Sequence, residues 1–227
     1  MGKKKILLIL VEGASDQTAL EGPLKQFFNM NKVKTYILHG DITTREKTTP
    51  QNIVRRIEEE IQHFCQRNFL NKTDICRLIQ VVDMDGAYIP DDFIVEKEEL
   101  QKVQYTEEAI FARSREDIIQ RNQQKRSNLE RLQHCDQISR IPYQVYYMSC
   151  NLDHALYGKL NLDNQEKENQ SYEFGEYYEN HLDEFMRFIG ESDFSVQAGY
   201  KESWAFIRQN LNSLKRHTNL GLCFYRE

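Results

Sequence analysis

The sequence predicts an α/β fold with about four mainly parallel strands flanked by helices, a helical insertion and a helical C-terminal extension. Residues 6–11 and 77–82 form two largely apolar runs, which are typical of parallel strands buried on both faces. Strand and helix patterns alternate up to residue 83, the order that builds a parallel sheet. With 40% hydrophobic residues among 227, the chain has enough apolar side chains for a sizeable core.

Four segments are predicted as strands of this sheet: Lys5–Val11, Val33–His39, Arg77–Val82 and Gln144–Met148. The third strand leads into Asp83 and the fourth into Ser149. These positions are of interest because open α/β sheets bind ligands at the carboxyl ends of their strands.

Helices are predicted between and after the strands. Ala14-Ser15-Asp16 offers capping residues for the first helix, and Thr49-Pro50 opens the second, since threonine is a good N-cap and proline suits the first helical position. Apolar residues recur at helical spacing in both segments. Later helices are predicted at Leu152–Leu160, Tyr172–Ile189 and Glu202–Leu214.

A polar insertion separates the third and fourth strands, at about residues 90–141. It is far longer than the ~2–6 residues of a typical strand–helix loop, and a long helix is predicted from about Glu107 to His134. We interpret the insertion as a solvated helical hairpin. The alternative is an arm that faces a partner or a substrate, because basic residues recur along it at Arg113, Arg115, Lys125, Arg126 and Arg131.

The predicted domain organisation is an α/β catalytic domain at 1–160 and a helical extension at 161–227 that packs on it. Residues 161–171 are rich in Asn, Glu and Gln, and we interpret them as a linker or exposed loop. The apolar segment LGLCFY near the C-terminus is predicted to be an edge strand or a strip packed on the core.

Composition narrows the class of protein. A net charge of −5 is unlike that of a dedicated nucleic-acid-binding domain, which is usually basic, although a cation cluster or a partner can offset it. The five cysteines are scattered without zinc-ligand spacing, which predicts reduced thiols. No segment approaches the ~20 apolar residues of a membrane span. We therefore expect a cytoplasmic protein.

Three carboxylates follow predicted strands: Glu12 after the first, and Asp83 and Asp85 after the third. Glu12 alone could be an ordinary acid at a helix N-terminus, stabilised by the helix dipole. Carboxylates clustered at one end of a sheet repel each other, and a cation is the usual remedy. Asp83 and Asp85 are two apart in extended chain and can share a hard divalent ion.

The order of these residues resembles the TOPRIM domain of topoisomerases, primases and OLD-type nucleases. A strand followed by Glu12-Gly13-x-x-Asp16, and about seventy residues later a strand followed by Asp83-x-Asp85, matches its two motifs. The resemblance implies a Rossmann-like core, Glu12, Asp83 and Asp85 as catalytic residues, and Mg²⁺, with Mn²⁺ possible as a replacement. It also implies that Asp16 helps to bind a second metal.

Among TOPRIM proteins, the chain is most similar to small stand-alone members such as the RloB-like and abortive-infection proteins of bacterial defence systems. Those members carry a further acid after the fourth strand in a Phe-Glu context, where this chain has Leu152-Asp153. Asp153 is thus a fifth candidate metal ligand. The resemblance implies a Mg²⁺-dependent endonuclease that cleaves DNA or RNA, including transfer RNA, and acts with an ATPase partner against phage.

Two other functions compete with this one. Val82-Asp83-Met84-Asp85-Gly86 resembles the first motif of haloacid-dehalogenase-type phosphatases, with Asp83 as nucleophile, Asp85 as acid, and Ser149 and Lys159 in place of later motifs. Two observations argue against a phosphatase: two strand–helix units precede the motif, and no apolar strand ending in paired acids follows residue 160.

The other competing function is a non-enzymatic docking or sensor module of an ATPase complex. The chain itself lacks a P-loop.

Overall fold

The computed structural model describes residues 6–28, 33–37 and 41–224. Its strands are β1 (Ile6–Val11), β2 (Val33–Ile37), β3 (Ile75–Asp83), β4 (Ile94–Glu96), β5 (Gln104–Tyr105), β6 (Ile110–Ala112), β7 (Gln137–Ile138), β8 (Ile141–Ser149) and β9 (His217–Thr218). Its helices are α1 (Ala14–Phe27), α2 (Ile53–Arg67), α3 (Arg115–Gln133), α4 (Leu152–Tyr157), α5 (Asn164–Glu179), α6 (Leu182–Glu191) and α7 (Tyr200–Ile207). The α/β class is confirmed.

The chain divides into two compact units. The first comprises Met1–Val82, Ser127–Tyr146 and Glu168–Phe185, and the second comprises Asp83–Arg126, Tyr147–Lys167 and Met186–Glu227. The predicted acids are distributed over both: Glu12 and Asp16 belong to the first unit, and Asp83, Asp85 and Asp153 to the second.

The first unit contains a sheet with the strand order β2-β1-β3-β8-β7. β1 pairs in parallel with both β2 and β3, which confirms the predicted parallel pairing of the first three strands. Every residue of β1 is buried, as expected for a strand covered on both faces. The Tyr143 hydroxyl of β8 donates to the side-chain oxygen of Gln80 on β3 at 2.6 Å, so this buried carbonyl has a partner.

Helices α1 and α5 approach each other closely in the first unit. A Cβ atom added at Gly175 of α5 would overlap the carbonyl oxygen of Thr18 in α1. A Cβ atom added at Gly22 would lie 3.3 Å from the Cβ of Glu179, which is exposed at the end of α5. The Thr18 backbone, which faces Gly175, is less free to move than the Glu179 side chain, which faces Gly22.

We expect Gly175→Ala to lower the free energy of unfolding by about 1–3 kcal/mol, because the added methyl group forces two helix backbones apart. Gly22→Ala is the matched control. It should be neutral or stabilising by up to about 1 kcal/mol, since alanine is the better helix former. Urea denaturation of the two variants measures both effects, and equal stabilities would contradict the close approach.

The second unit contains a small three-stranded sheet in the order β4-β6-β5, with β4 and β6 parallel and β5 antiparallel to β6. Its apolar face joins a buried cluster made of Ile89, Ile94, Ile110, Ala112, Ile118, Ile119, Cys150 and Leu214. This cluster supports the start of α3 and the loop after β8.

Strand β9 pairs with the end of β8 in the second unit, through Met148 with Thr218 and Ser149 with His217. Side chains in and after β9 make further hydrogen bonds to the backbone of β8. The backbone N–H of Tyr147 donates to the Asn219 side-chain oxygen at 2.8 Å, and the Thr218 hydroxyl donates to the Tyr147 carbonyl at 2.8 Å. The C-terminal segment therefore completes the hydrogen bonding of β8 close to Cys150.

The insertion is only partly helical, and the interpretation as a helical hairpin is wrong. The helix predicted from Glu107 begins at Arg115, and the residues before it form β4, β5 and β6. The Thr106 hydroxyl accepts hydrogen bonds from the N–H groups of Glu108 and Ala109 at 3.2 and 2.9 Å. This local turn offers the backbone an alternative to helix.

The linker predicted at 161–171 is also wrong, because α5 begins at Asn164. Asp163 and Glu166 form a reciprocal cap: the N–H of Asp163 donates to Glu166 at 2.9 Å, and the N–H of Glu166 donates to Asp163 at 2.8 Å. Glutamate and glutamine are good helix formers, so the polar composition suits an exposed helix. The single helix predicted at Tyr172–Ile189 is divided between α5 and α6.

Other boundaries differ by a few residues. α2 begins at Ile53 rather than Pro50, because the Thr49 carbonyl first accepts from Asn52 and Ile53 in a separate turn. α4 ends at Tyr157 because Gly158 adopts a left-handed conformation. Lys5 and residues 38–39, which were predicted to extend two strands, lie outside the described residues.

The C-terminal apolar segment is a 3₁₀-helix at Leu220–Phe224 in which Leu220 and Cys223 are buried. Of its two predicted forms, the edge strand is wrong and the strip packed on the core is confirmed. The edge position belongs to β9 instead. The helix predicted at Glu202–Leu214 is shorter, and α7 ends at Ile207. Among the described residues, no helix has the length and apolarity needed to cross a membrane.

Candidate functional site

A tight turn follows β3 and carries two of the predicted acids; we call Asp83–Gly86 the acid turn. Asp85 and Gly86 both adopt left-handed backbone conformations, with φ of 49° and 67°. The N–H groups of Met84 and Asp85 donate to the Cys150 carbonyl at 2.9 and 2.6 Å. The loop after β8 therefore fixes the backbone of the acid turn.

Helix α3 holds the same turn through its side chains. Arg121 donates to the Asp85 carbonyl at 2.8 Å, and Asn122 donates to the Gly86 carbonyl at 3.3 Å. The Lys125 ammonium lies 2.5 Å from Asp85 Oδ2. The side chain of Lys125 is 0% exposed and that of Asp85 is 21% exposed, so this ion pair is largely sheltered from water.

Arg121 is itself held by a buried tyrosine. Its guanidinium donates to the Tyr105 hydroxyl at 2.6 Å, and burial raises the pKa of Tyr105, which keeps this hydroxyl protonated. Burial alone would lower the pKa of Arg121, but the neighbouring Tyr105 and Asp85 outweigh it and raise that pKa. Arg121 therefore stays charged beside the acid turn.

The Asp83 carboxylate is fixed by the start of α4. Its Oδ1 atom accepts a hydrogen bond from the Leu152 N–H at 2.9 Å. The neighbouring acid Asp153 is buried at 4% exposure, and its carboxylate pairs with the Lys167 ammonium at 2.7 Å. The structure thus joins Asp83 to the backbone next to Asp153, whereas the charge of Asp153 is neutralised by a lysine.

In the first unit, Asp16 caps the start of α1. Its Oδ2 atom accepts from the N–H groups of Glu12 and Gly13 at 3.2 and 2.9 Å. The role of helix N-terminal acid therefore belongs to Asp16 rather than to Glu12, which is half-buried directly after β1. Over residues 6–28, 33–37 and 41–224, no group of three or more His, Cys, Asp and Glu side chains is arranged to hold a metal ion.

His154 contributes to the loop after β8. Its Nδ1 atom accepts from the Cys150 N–H at 3.2 Å, so the ring proton is on Nε2, which lies 3.3 Å from Glu107 Oε1. Burial lowers the pKa of His154 and outweighs the opposing effect of Glu107; Arg216 lowers it further. A protonated ring would lose the acceptor that binds Cys150.

We expect the protein to lose stability as the pH falls below about 6.5, the ordinary histidine pKa, because the unfolded chain then binds a proton that folded His154 does not. His154→Asn retains a side-chain acceptor and should reduce this dependence. His217 acts in the same direction, since burial and then Lys215 lower its pKa, so the double variant should have the smallest slope. Thermal unfolding between pH 7.5 and 5.5 measures it; an unchanged slope in His154→Asn would contradict the assignment.

The sequence analysis did not identify Arg121 and Asn122 as functional residues. It named Lys125 only as one of the basic residues that recur along the insertion. The available signal was their spacing, since residues 121, 122 and 125 share one face of the predicted helix. Nothing in that pattern indicates which turn the face contacts.

Comparisons of the chain with protein-family models, with curated proteins and with solved structures found no significant match.

Proposed function

We propose that this chain is a metal-dependent nuclease of the TOPRIM type, which hydrolyses phosphodiester bonds in DNA or RNA. One observation carries the proposal: Asp83 and Asp85 lie on a turn at the carboxyl end of β3, and their positions are fixed by the loop after β8 and by α3. Carboxylates held in place before a ligand arrives are what a catalytic metal site requires.

The donor chemistry of the acid turn fits Mg²⁺ or Mn²⁺. Both are hard cations that prefer oxygen ligands, and Mg²⁺ is commonly bound by one or two carboxylates, water and substrate phosphates. The Leu152 N–H orients Asp83 without removing its charge. Lys125 lies against Asp85 Oδ2 and offsets part of the charge of that carboxylate.

A bound Mg²⁺ would polarise the scissile phosphate and lower the pKa of a water molecule. The chain's own residues have separate tasks in the proposal. Asp83 and Asp85 hold the cation, and Arg121 keeps the backbone of the acid turn in place. Glu12 is proposed as a further ligand or as the acceptor of the water's proton; Asp16 and Asp153 are proposed as additional ligands. These last three roles rest on the resemblance.

The biological setting is proposed on the same basis. The resemblance supports an effector that acts with an ATPase partner in anti-phage defence. A nuclease with a net charge of −5 needs another source of attraction for a polyanionic substrate, and in this proposal a bound cation and a partner supply it.

The test is a cleavage assay on the purified chain, with Mg²⁺ or Mn²⁺ and then with EDTA. Plasmid DNA, single-stranded DNA, bulk transfer RNA and p-nitrophenyl phosphate should be offered separately. Metal-dependent cleavage of a nucleic acid that Asp83→Asn abolishes supports the proposal. Hydrolysis of p-nitrophenyl phosphate alone would favour a phosphatase, and a biological effect that survives Asp83→Asn would favour a docking module.

A further inference from the structure

The small sheet of the second unit has one covered face and one outer face. One row of residues in register across its three strands packs with the buried apolar cluster: Ile94, Ile110 and Tyr105. Successive side chains of a strand point to opposite faces of a sheet. The adjacent row in register therefore lies on the outer face: Val95, Phe111 and Gln104.

Apolar side chains are exposed on this outer face. Phe93 is 40% exposed and Val95 is 38% exposed. The two lie on the same face, because the residue between them, Ile94, has an extended backbone. Phe111 pairs with Val95 and is half-buried. We call Phe93, Val95 and Phe111 the apolar strip, and it offers a surface on which a flat ring can stack.

Basic side chains lie beside the apolar strip. Lys97 follows Val95 by two positions, and its ammonium lies 4.2 Å from the centre of the Phe111 ring. Arg113 follows Phe111 by two positions, and together with Lys102 it lines a pocket of about 510 Å³. All three basic residues are exposed. The outer face therefore places positive charge next to apolar side chains.

Acidic residues near the apolar strip limit what charge alone can attract. Glu96 belongs to the inner row, where its carboxylate accepts from the Arg115 N–H at 3.0 Å. Glu98 and Glu99 are exposed in the turn that follows, and Asp117 lines the pocket. A polyanion that only pairs with the basic residues would also meet these acids. The surface therefore favours a ligand that stacks as well as carrying negative charge.

We propose that the outer face of the small sheet binds single-stranded nucleic acid, with Phe93 stacking on a base and the three basic residues contacting phosphates. Unpaired bases stack on aromatic rings while the phosphates contact lysine and arginine. The inference rests on the proposed function and deepens it, because it names the form in which the substrate is held. It also adds a local source of attraction to a chain with a net charge of −5.

Fluorescence anisotropy in EDTA tests the binding, with a labelled oligothymidylate of about 16 nucleotides, the matching oligouridylate, and a DNA duplex of the same length. Both single strands should bind at least tenfold more tightly than the duplex, because bases and phosphates are common to DNA and RNA. Phe93→Ala should weaken this binding at least about fivefold, since it removes the ring on which a base stacks. The control Phe69→Ala removes a ring that is 97% exposed in the first unit and should bind as the unmodified chain does.

The dependence of affinity on salt tests the basic residues separately. The logarithm of the affinity for a single strand falls with the logarithm of the salt concentration by about 0.7 for each phosphate neutralised, so three contacts predict a slope of about −2. Lys102→Met/Arg113→Met should bring the slope to about −0.7. The control Lys201→Met removes an exposed lysine of α7 and should leave the slope unchanged. Equal slopes in the unmodified chain and the double variant would overturn the phosphate contacts.

Phe93→Trp reports the stacking directly and does not depend on whether Phe93→Ala folds. The one native tryptophan, Trp204, is 2% exposed, so the fluorescence of the added indole dominates any change. Saturating oligothymidylate should quench it. Absence of quenching, equal affinity for the duplex, or identical binding by the unmodified chain and Phe93→Ala, including no binding by either, would overturn the proposal.

Failure of the proposed function is distinguishable, because the binding is measured without a metal. Single-strand binding without cleavage in Mg²⁺ or Mn²⁺ refutes only the nuclease. Cleavage by a chain whose Phe93→Ala variant binds normally refutes only the role of the sheet face.

Discussion

Asp83→Asn should reduce the rate of nucleic-acid cleavage at least about 100-fold and leave the protein folded. Asparagine has the same shape and retains an oxygen that can accept from the Leu152 N–H, but it lacks the charge that binds a cation. A metal contributes several kcal/mol to the stabilisation of a transition state, and each ~1.4 kcal/mol corresponds to a factor of ten in rate. Single-turnover cleavage at saturating Mn²⁺ measures the loss.

The control for this experiment is Asp92→Asn, which removes an exposed acid from the same unit. It should cleave at the rate of the unmodified chain, and both variants should unfold at nearly the same temperature as the parent. Cleavage by Asp83→Asn at more than a tenth of the parental rate would show that the acid turn is not the catalytic centre.

Asp85→Asn should lower the free energy of unfolding by about 2–3 kcal/mol, because the buried Lys125 loses its ion pair with the Asp85 carboxylate. Asparagine isolates the effect of charge, since it tolerates the left-handed backbone at this position better than other uncharged residues do. Equilibrium denaturation in urea at pH 7.5 measures the change.

A double-mutant cycle assigns this loss to the ion pair. In a Lys125→Met background, the same Asp85→Asn substitution should cost less than it does in the parent, because the ammonium that lies against Asp85 Oδ2 is absent. If the two substitutions were additive, the two side chains would contribute to stability independently, contrary to the 2.5 Å separation.

The sequence predicted best the strands that contain an unbroken buried stretch. β1 and β3 are apolar runs within the sheet, and the small residues and acids after β1 correctly indicated the start of α1. Such patterns depend on near neighbours and on burial, so they can be recognised without knowledge of tertiary contacts.

The prediction failed where structure depends on contacts distant in sequence. β5 has two residues and β6 has three, which is too short for any periodicity, and they are ordered by the apolar cluster of the second unit. The acids after β3 were predicted, but the residues that hold them were not. Arg121 is 36 positions from the carbonyl that it binds, and Lys125 is 40 positions from Asp85.

The pairing of β9 with β8 has a consequence for biosynthesis. The Gly86 N–H donates to the Ser213 carbonyl at 3.0 Å, and the end of β8 is completed by Thr218 and Asn219. A ribosome makes these residues long after the acids themselves, at roughly 5–20 residues per second. A nascent chain that ends before residue 213 lacks these bonds, so the acid turn can acquire its full set of hydrogen bonds only after residues 213–219 have been made.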